Sequence, residues 1–434
     1  MGRRSIPLTL VLAILAFAVA AGSFGFVPDR PRLWSAAVAL IVLSGITPLI
    51  YAVNVRILPV FSRRTWRHPR WLEGMLAAGV ASGWLVYAGR ALPNRPVEIT
   101  GQGLALLGGV LFVTNVVRLF RAPVTTNVAP PLPFPEQADI DRIGIRFTRL
   151  AALYLLFGLL VGFVTLFWTP EQGRWELIWA HTLLLGWFLM MASGILYHVL
   201  SRWTGARWRS VRRIRAHLVV VVVALPLMLL ALAFDVAWLF AIAGPLQAIG
   251  LGLFAWNVLP LITGLPSLSR FGMRAAVWFL VIGVSIGASA AMDPASHARM
   301  RFSHTTINLL GWTGLLVCGV GYYLFPRLAG QPLRWPRLAS AQVTGHAIGV
   351  SVLAIVWWWY LAVDSAVQPF LTLAALVIAV SYAVFAIIVA ATFRQSRVAA
   401  RAGAAATADA APRQVVAPLT LQPRPQRQRP AQRE

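Results

Sequence analysis

The 434-residue sequence contains one cysteine, no lysine and only 13 acidic residues. With Cys318 alone, the chain by itself cannot form an intramolecular disulfide, a thiolate zinc site or an iron–sulfur cluster. The shortage of charge also excludes an ordinary soluble protein, because 12% of the residues are charged and 59% are hydrophobic. The composition therefore predicts a polytopic membrane protein.

Arginine supplies all of the basic side chains, and the formal net charge is +25. In a membrane protein such an excess sets the topology and attracts anionic lipid headgroups. No DNA-reading motif and no interleaving of aromatic with basic residues accompanies the charge, so nucleic acid is not an expected partner. We expect the arginine-rich loops to contact the lipid bilayer and its anionic headgroups.

Apolar runs long enough to cross ~30 Å of hydrocarbon occur twelve times. They predict an all-α protein with about twelve transmembrane helices. The first run follows Arg3 and Arg4 as a signal sequence would, but it lacks a clear cleavage pattern and is expected to be a retained helix. Only a tight break at Asp235 separates the seventh and eighth runs. The runs are 6–27, 34–55, 72–92, 101–120, 145–168, 177–200, 217–234, 237–259, 273–292, 303–325, 342–363 and 367–393.

Arginines collect in alternate connections between these runs. By the positive-inside rule those connections face the cytoplasm, which places both termini inside and favours the cytoplasmic (inner) membrane of a bacterium. The other connections are short and hold most of the acidic residues. The arginines of the cytoplasmic set are Arg63, Arg64, Arg67, Arg70, Arg118, Arg121, the six from Arg202 to Arg215, Arg270, Arg274, Arg327, Arg334 and Arg337.

Three runs that lie four helices apart end in related sequences. These are RILPVFSRR at 56–64, HVLSRWTGARW at 198–208 and YLFPRLAGQPLRW at 323–335. The likeness predicts three pseudo-symmetric units of four helices, about 1–125, 141–265 and 271–395. The alternative is that any helix exit collects proline, glycine and arginine.

Two segments differ in composition from the apolar runs. Residues 123–140, PVTTNVAPPLPFPEQADI, are proline-rich and predict an extended cytoplasmic linker between the first two units. From 397 to 434 the chain is rich in alanine, arginine, proline and glutamine and shows no apolar periodicity. We expect a disordered basic tail there, attracted to anionic lipid.

The tenth run carries an unusual set of polar and small residues. At 100° of rotation per residue, six of its side chains lie within about 40° of one line along an ideal helix. A bare membrane anchor has no need of an imidazole and an amide on one face, so His304 is a candidate metal ligand, with Asn308 and Gly311 beside it. The small residues equally suit close helix packing in lipid. The six residues are His304, Asn308, Gly311, Leu315, Cys318 and Tyr322.

His181, at the outer end of the sixth run, is the natural partner of His304. The sixth and tenth runs occupy equivalent positions in the repeat, so the two imidazoles are expected to face a common interior site. The alternative is that His181 is an interfacial polar group. Among the other histidines, His198, His217 and His346 are expected at the cytoplasmic interface, and His68 and His297 in solvent.

The sequence SHTTINLLGWTGLLVCGVGYYLFPRLAG resembles the tenth helix of the haem-copper oxidase catalytic subunit, especially its C-type branch and the related nitric oxide reductases. That helix carries a His-x-His motif seven residues before Gly-Trp. His304 matches the first histidine, the axial ligand of the high-spin haem, by its spacing to Gly311-Trp312. Thr306 stands in place of the second. The NnrS family of haem- and copper-containing proteins associated with nitric oxide stress is similar as well, through Trp203-Thr204-Gly205.

Departures from the oxidase pattern limit what the resemblance implies. The second run has no histidine for a low-spin haem, and the seventh has only His217 where the family has a copper-binding pair. The resemblance therefore implies a protein that binds haem b through His304. His181 would be the second ligand or the ligand of a nearby metal such as copper.

Three functions follow as hypotheses. The first is an oxidase-like or NnrS-like membrane haem protein that acts in nitric oxide or oxygen stress, haem handling or oxidase biogenesis, and not as a competent terminal oxidase. The second is a multi-span transporter of a small apolar or anionic molecule, whose histidines are only interfacial. The third is a non-catalytic assembly partner of respiratory-complex subunits.

Overall fold

The computed structural model describes residues 5–126, 130–168, 172–363 and 365–408. All regular structure in these ranges is helical, and twelve long helices follow one another without a strand. The helices are α1 Ser5–Phe24, α2 Arg32–Ser62, α3 Pro69–Ala91, α4 Arg95–Arg121, α5 Gln137–Val164, α6 Gly173–Thr204, α7 Val211–Phe234, α8 Ala237–Ile262, α9 Ser267–Met292, α10 His297–Ala329, α11 Pro336–Val363 and α12 Gln368–Ala408.

Each helix coincides with one of the twelve apolar runs, and all but α3 meet both the length and the composition of a membrane span. The all-α, polytopic fold predicted from the sequence is confirmed. The break between α7 and α8 is confirmed too: Asp235 takes a left-handed backbone conformation, with φ of 54°, and ends α7. Its carboxylate lies 3.3 Å from the guanidinium of Arg174 on α6.

Three helices form the interior of the bundle. The share of the span that is buried is 94% for α2, 72% for α6 and 83% for α10, against 28–56% for the other spans in the described chain. Each of the three also contains a π-helical segment: Leu40–Ile46, Thr182–Leu189 and Ile307–Thr313. The inner helices are four apart, which is the spacing that the predicted repeat requires.

The π segment in α10 changes which residues share a face. Its i→i+5 bonding turns the chain less per residue than an α-helix does, so residues beyond it are rotated away from the line expected for an ideal helix. His304 and Asn308 face α9, whereas Cys318 and Tyr322 bond to Gln342 on α11. The predicted single line of six residues is therefore wrong beyond the π segment.

The two ends of the chain pack together through α1 and α12. The rings of Phe17 and Tyr382 stack with centroids 5.1 Å apart, and the hydroxyls of Ser23 and Tyr87 hydrogen-bond at 2.9 Å. The first apolar run thus forms a helix that packs within the bundle.

The two segments of unusual composition are partly helical where the structure describes them. The backbone of 397–408 continues α12; the stretch is alanine-rich, and alanine has the highest helix propensity. The remainder of the predicted tail, 409–434, lies outside the described residues.

A backbone hydrogen bond and an ion pair hold the two ends of the proline-rich linker. The amide of Thr125 donates to the carbonyl of Arg63 at 2.9 Å, and Arg207 pairs with Glu136, with an Nη2–Oε2 distance of 3.1 Å. This guanidinium holds the pKa of Glu136 below its usual value, chiefly by hydrogen bonding. Helix α5 begins at Gln137, inside the predicted linker, and residues 127–129 lie outside the described chain.

Close packing of α3 on α4 gives a testable difference between two glycines of α3. A Cβ on Gly89 would lie 2.6 Å from the backbone nitrogen of Glu98, whereas a Cβ on Gly74 would meet nothing within 4 Å. Gly89→Ala should lower the free energy of unfolding by about 1–3 kcal/mol, because backbone atoms must move apart. Gly74→Ala should change it by less than about 1 kcal/mol. The midpoints of thermal unfolding in detergent measure both, and equal midpoints would contradict the packing.

Candidate functional site

His181 and His304 are neighbours near the N-terminal ends of the inner helices α6 and α10. Their ring centroids lie 6.5 Å apart and the ring planes are inclined by 18°. Both imidazoles are half-buried. The structure thus brings together the two histidines that the sequence analysis paired.

Each of these imidazoles is oriented by a backbone carbonyl. Nδ1 of His181 lies 2.8 Å from the carbonyl oxygen of Leu177, and Nδ1 of His304 lies 2.9 Å from that of Gly283. A carbonyl oxygen only accepts, so Nδ1 carries the proton in both rings and Nε2 keeps its lone pair. A histidine that ligates a metal through Nε2 is held in this way by its other nitrogen.

Two glycines of α9 make the space for His304 and the residue one turn below it. A Cβ on Gly287 would lie 2.7 Å from Nδ1 of His304, and a Cβ on Gly283 would lie 2.5 Å from Nδ2 of Asn308. The amide of Asn308 donates to the carbonyl of His304 at 2.7 Å. The sequence analysis missed these glycines, although their four-residue spacing is the usual signal of close helix packing in lipid.

The pair of imidazoles has no third ligand in the described part of the chain, where no three His, Cys, Asp or Glu side chains are grouped to hold a metal. His297, the next histidine, is exposed, as predicted. Two imidazoles alone do not satisfy the tetrahedral preference of zinc. They do fit a haem iron, which takes its remaining ligands from the porphyrin.

The separation of the rings also bears on how many metal ions fit. Two imidazoles whose Nε2 atoms face one ion, with metal–nitrogen bonds of ~2.0–2.1 Å, have ring centroids roughly 6 Å apart. The observed centroid distance of 6.5 Å is close to that value. The donor set thus fits a single metal centre.

Gly311, which the sequence analysis placed beside His304, faces Phe279 of α9. A Cβ there would lie 2.7 Å from the ring of Phe279, so the phenyl group of α9 fills the space that a flat ligand would need. Gly314, one turn further along, is covered by the hydroxyl of Tyr382. The small residues of α10 therefore serve helix packing at these positions.

His217 and His346 are fully buried, so the expectation that they are interfacial is wrong. Helices α7 and α11 begin about six residues before the apolar runs that predicted them, which places both histidines further inside the bundle. Nδ1 of His217 lies 2.8 Å from the hydroxyl of Tyr197, and Nε2 of His346 lies 2.8 Å from the carbonyl of Leu310 in the π segment of α10.

His217 is remote from the His181–His304 pair. Its partner Tyr197 follows His181 on α6 by sixteen residues, which is roughly 24 Å of helix rise. The ring of His217 packs instead against Phe147 and Phe254, with centroids 4.8 and 5.7 Å away. It is therefore part of the core and supplies no ligand to the pair.

His198 belongs to an ion-pair cluster with Asp141 of α5. Its Nδ1 lies 2.9 Å from one carboxylate oxygen, and Arg202 lies 2.7 Å from the other. Asp141 thus neutralises the arginine close to the end of α6. His68 is exposed, as predicted.

Of the comparisons with known proteins, the one with solved structures gives a match. No family model matches the sequence, and no curated protein matches it at a significant level. Among solved structures, the chain is similar to one described as a haem-copper terminal oxidase dimer, with a TM-score of 0.65 and 12% identity. The match covers 90% of this chain and 83% of that chain. The chain therefore has the fold of a haem-copper oxidase.

The placement of His217 predicts that it contributes to stability and not to ligand binding. His217→Leu leaves the hydroxyl of Tyr197 without its imidazole partner, so the free energy of unfolding should fall by about 1–3 kcal/mol. Haem and metal content per chain should equal those of the wild type. Thermal unfolding and metal analysis of purified protein measure the two effects, and metal loss equal to that of His304→Leu would contradict the assignment.

Proposed function

We propose that this membrane protein binds one haem b between α6 and α10, and that the imidazoles of His304 and His181 would hold it. The observation that carries the proposal is the pair of free Nε2 atoms on rings whose centroids lie 6.5 Å apart, each held by a carbonyl at Nδ1. The haem-copper oxidase fold supports it. Copper bound by the two imidazoles alone is the alternative, because imidazole also suits copper.

The chain's own residues would prepare the ligands before any cofactor arrives. The carbonyls of Leu177 and Gly283 fix the tautomers, and the bare backbone of Gly287 lets the His304 ring sit against α9. The apolar surroundings would limit water access and set the reduction potential. When bound, the haem iron would supply one-electron chemistry.

The same residues argue against a terminal oxidase. Oxygen reduction to water needs an electron-entry haem and a redox metal beside the reactive haem. Helix α2 contains no histidine, and the hydroxyl of Thr306 is turned to the carbonyl of Phe302 at 2.9 Å. His217 lies in the core near Tyr197. The ligands for two of the three centres are therefore missing.

A single haem of this kind fits roles in nitric oxide or oxygen stress, in haem handling or in oxidase biogenesis. We place the protein in the cytoplasmic membrane of a bacterium, with its arginine-rich loops on anionic headgroups and with respiratory-complex subunits as partners. The outer position of the histidine pair follows from the arginine distribution.

An absorption spectrum of the purified protein tests the ligand assignment. The wild type should show a Soret band, His304→Ala should lose it, and His181→Ala should shift it, because one axial ligand is removed. His198→Ala, on the same helix as His181 but bonded to Asp141, is the matched control and should leave the band unchanged. A Soret band that is absent from the wild type, or unaltered in His304→Ala, would contradict the ligand assignment.

Oxygen consumption separates this proposal from a terminal oxidase. Haem-loaded protein supplied with a chemical reductant should consume oxygen no faster than His304→Ala protein, since the second redox centre lacks ligands. An oxygen electrode measures the rate. Sustained turnover that depends on His304 would contradict the non-oxidase role and leave the spectral test standing.

A further inference from the structure

A cluster of polar side chains beside His181 has no protein partner for its polar atoms in the described part of the chain. It consists of Gln102 on α4 and of Trp179 and Thr182 on α6. Their exposed fractions are 0%, 2% and 0%, and the unpartnered atoms are both amide atoms of Gln102, Nε1 of Trp179 and the hydroxyl of Thr182. A buried donor or acceptor without a partner destabilises the fold, so such atoms normally hold water.

Two glycines of α5 form the wall on which these side chains converge. A Cβ on Gly162 would lie 2.6 Å from Nε1 of Trp179 and 3.1 Å from Oε1 of Gln102. A Cβ on Gly158, one turn earlier, would lie 3.1 Å from the methyl group of Thr182. The indole N–H and the amide oxygen therefore lie within reach of one bridging water molecule.

The cluster continues toward the outer surface through a set of ion pairs. Arg90 lies 2.8 Å from Glu98 and 2.6 Å from Glu176, and its guanidinium stacks on the Trp179 ring at 5.6 Å. Glu98 stands one turn before Gln102 on α4. Glu176 is one-third exposed, so the charged end of this polar column reaches solvent.

We infer that Gln102, Trp179 and Thr182 form a binding site for water, connected to the outer surface through the Arg90 ion pairs. The ligand class is a small neutral molecule that both donates and accepts hydrogen bonds, because the site offers N–H donors, a hydroxyl and an amide oxygen but no net charge. Thr182 follows His181 directly along α6, so the cluster lies at the same level of the bundle as the histidine pair. The site stands on its own contacts, and only its relevance to haem chemistry rests on the proposed function.

Hydroxyl-radical footprinting of the full chain, generated by an X-ray beam and read by mass spectrometry, tests the site. Radicals form from bound water, so Trp179 should be oxidised several-fold faster than Trp187. Trp187 is the matched control: it lies on the same helix with 0% exposure, and its Nε1 donates to Thr47 at 3.2 Å. Equal protection of the two tryptophans would overturn the inference, and no variant or haem is needed for this comparison.

A substitution assigns the water to this cluster. Gln102→Leu removes two of the unpartnered atoms and should reduce oxidation of Trp179 to the level of Trp187. Gln342→Leu, which removes a buried glutamine already bonded to Tyr322 and Ser381, should leave it unchanged. Oxidation of Trp179 that persists in Gln102→Leu would overturn the assignment. A missing Soret band with strong Trp179 labelling would defeat the haem proposal alone.

Discussion

Hydrocarbon offers no hydrogen bonds, so the polar groups of this bundle must find their partners in the protein or in bound water. The π segments of α2, α6 and α10 work within this constraint, because their altered bonding makes carbonyls available to side chains. The carbonyl of Leu310 in α10 accepts from His346 of α11, and that of Val42 accepts from the hydroxyl of Thr47 on the same helix, α2. The Thr47 hydroxyl in turn accepts from Nε1 of Trp187 on α6. Polar contacts as well as packing therefore join α10 to α11 and α2 to α6.

The same constraint explains why the His181–His304 pair is chemically distinct from the other buried histidines. Nε2 of His346 hydrogen-bonds to the carbonyl oxygen of Leu310, and the ring of His217 packs between those of Phe147 and Phe254. Among the histidines that the structure describes, His181 and His304 combine a carbonyl at Nδ1 with a neighbouring imidazole whose ring centroid lies 6.5 Å away. The proposed metal site rests on this arrangement of donors.

Much of the fold was predictable because hydropathy reports the length of a membrane span directly. Twelve runs, the break at Asp235 and the pairing of His181 with His304 all emerged from local patterns. The burial of His217 and His346 did not emerge from these patterns. The helices α7 and α11 begin before their apolar runs, in turns that contain arginine, and a hydropathy profile does not include such turns in the span. The extension of α12 to Ala408 follows from the helix propensity of its alanines and not from apolar periodicity.

The sequence by itself determined the membrane class, the helix order and the residue types available as ligands, because these depend on composition and on short-range periodicity. Only the tertiary structure decided which faces meet. The π segment in α10 turned Cys318 and Tyr322 away from His304, Phe279 covered Gly311, and the glycines of α9 received the imidazole. Contacts of this kind depend on the rotation and closeness of separate helices, which the spacing of residues along one helix does not specify.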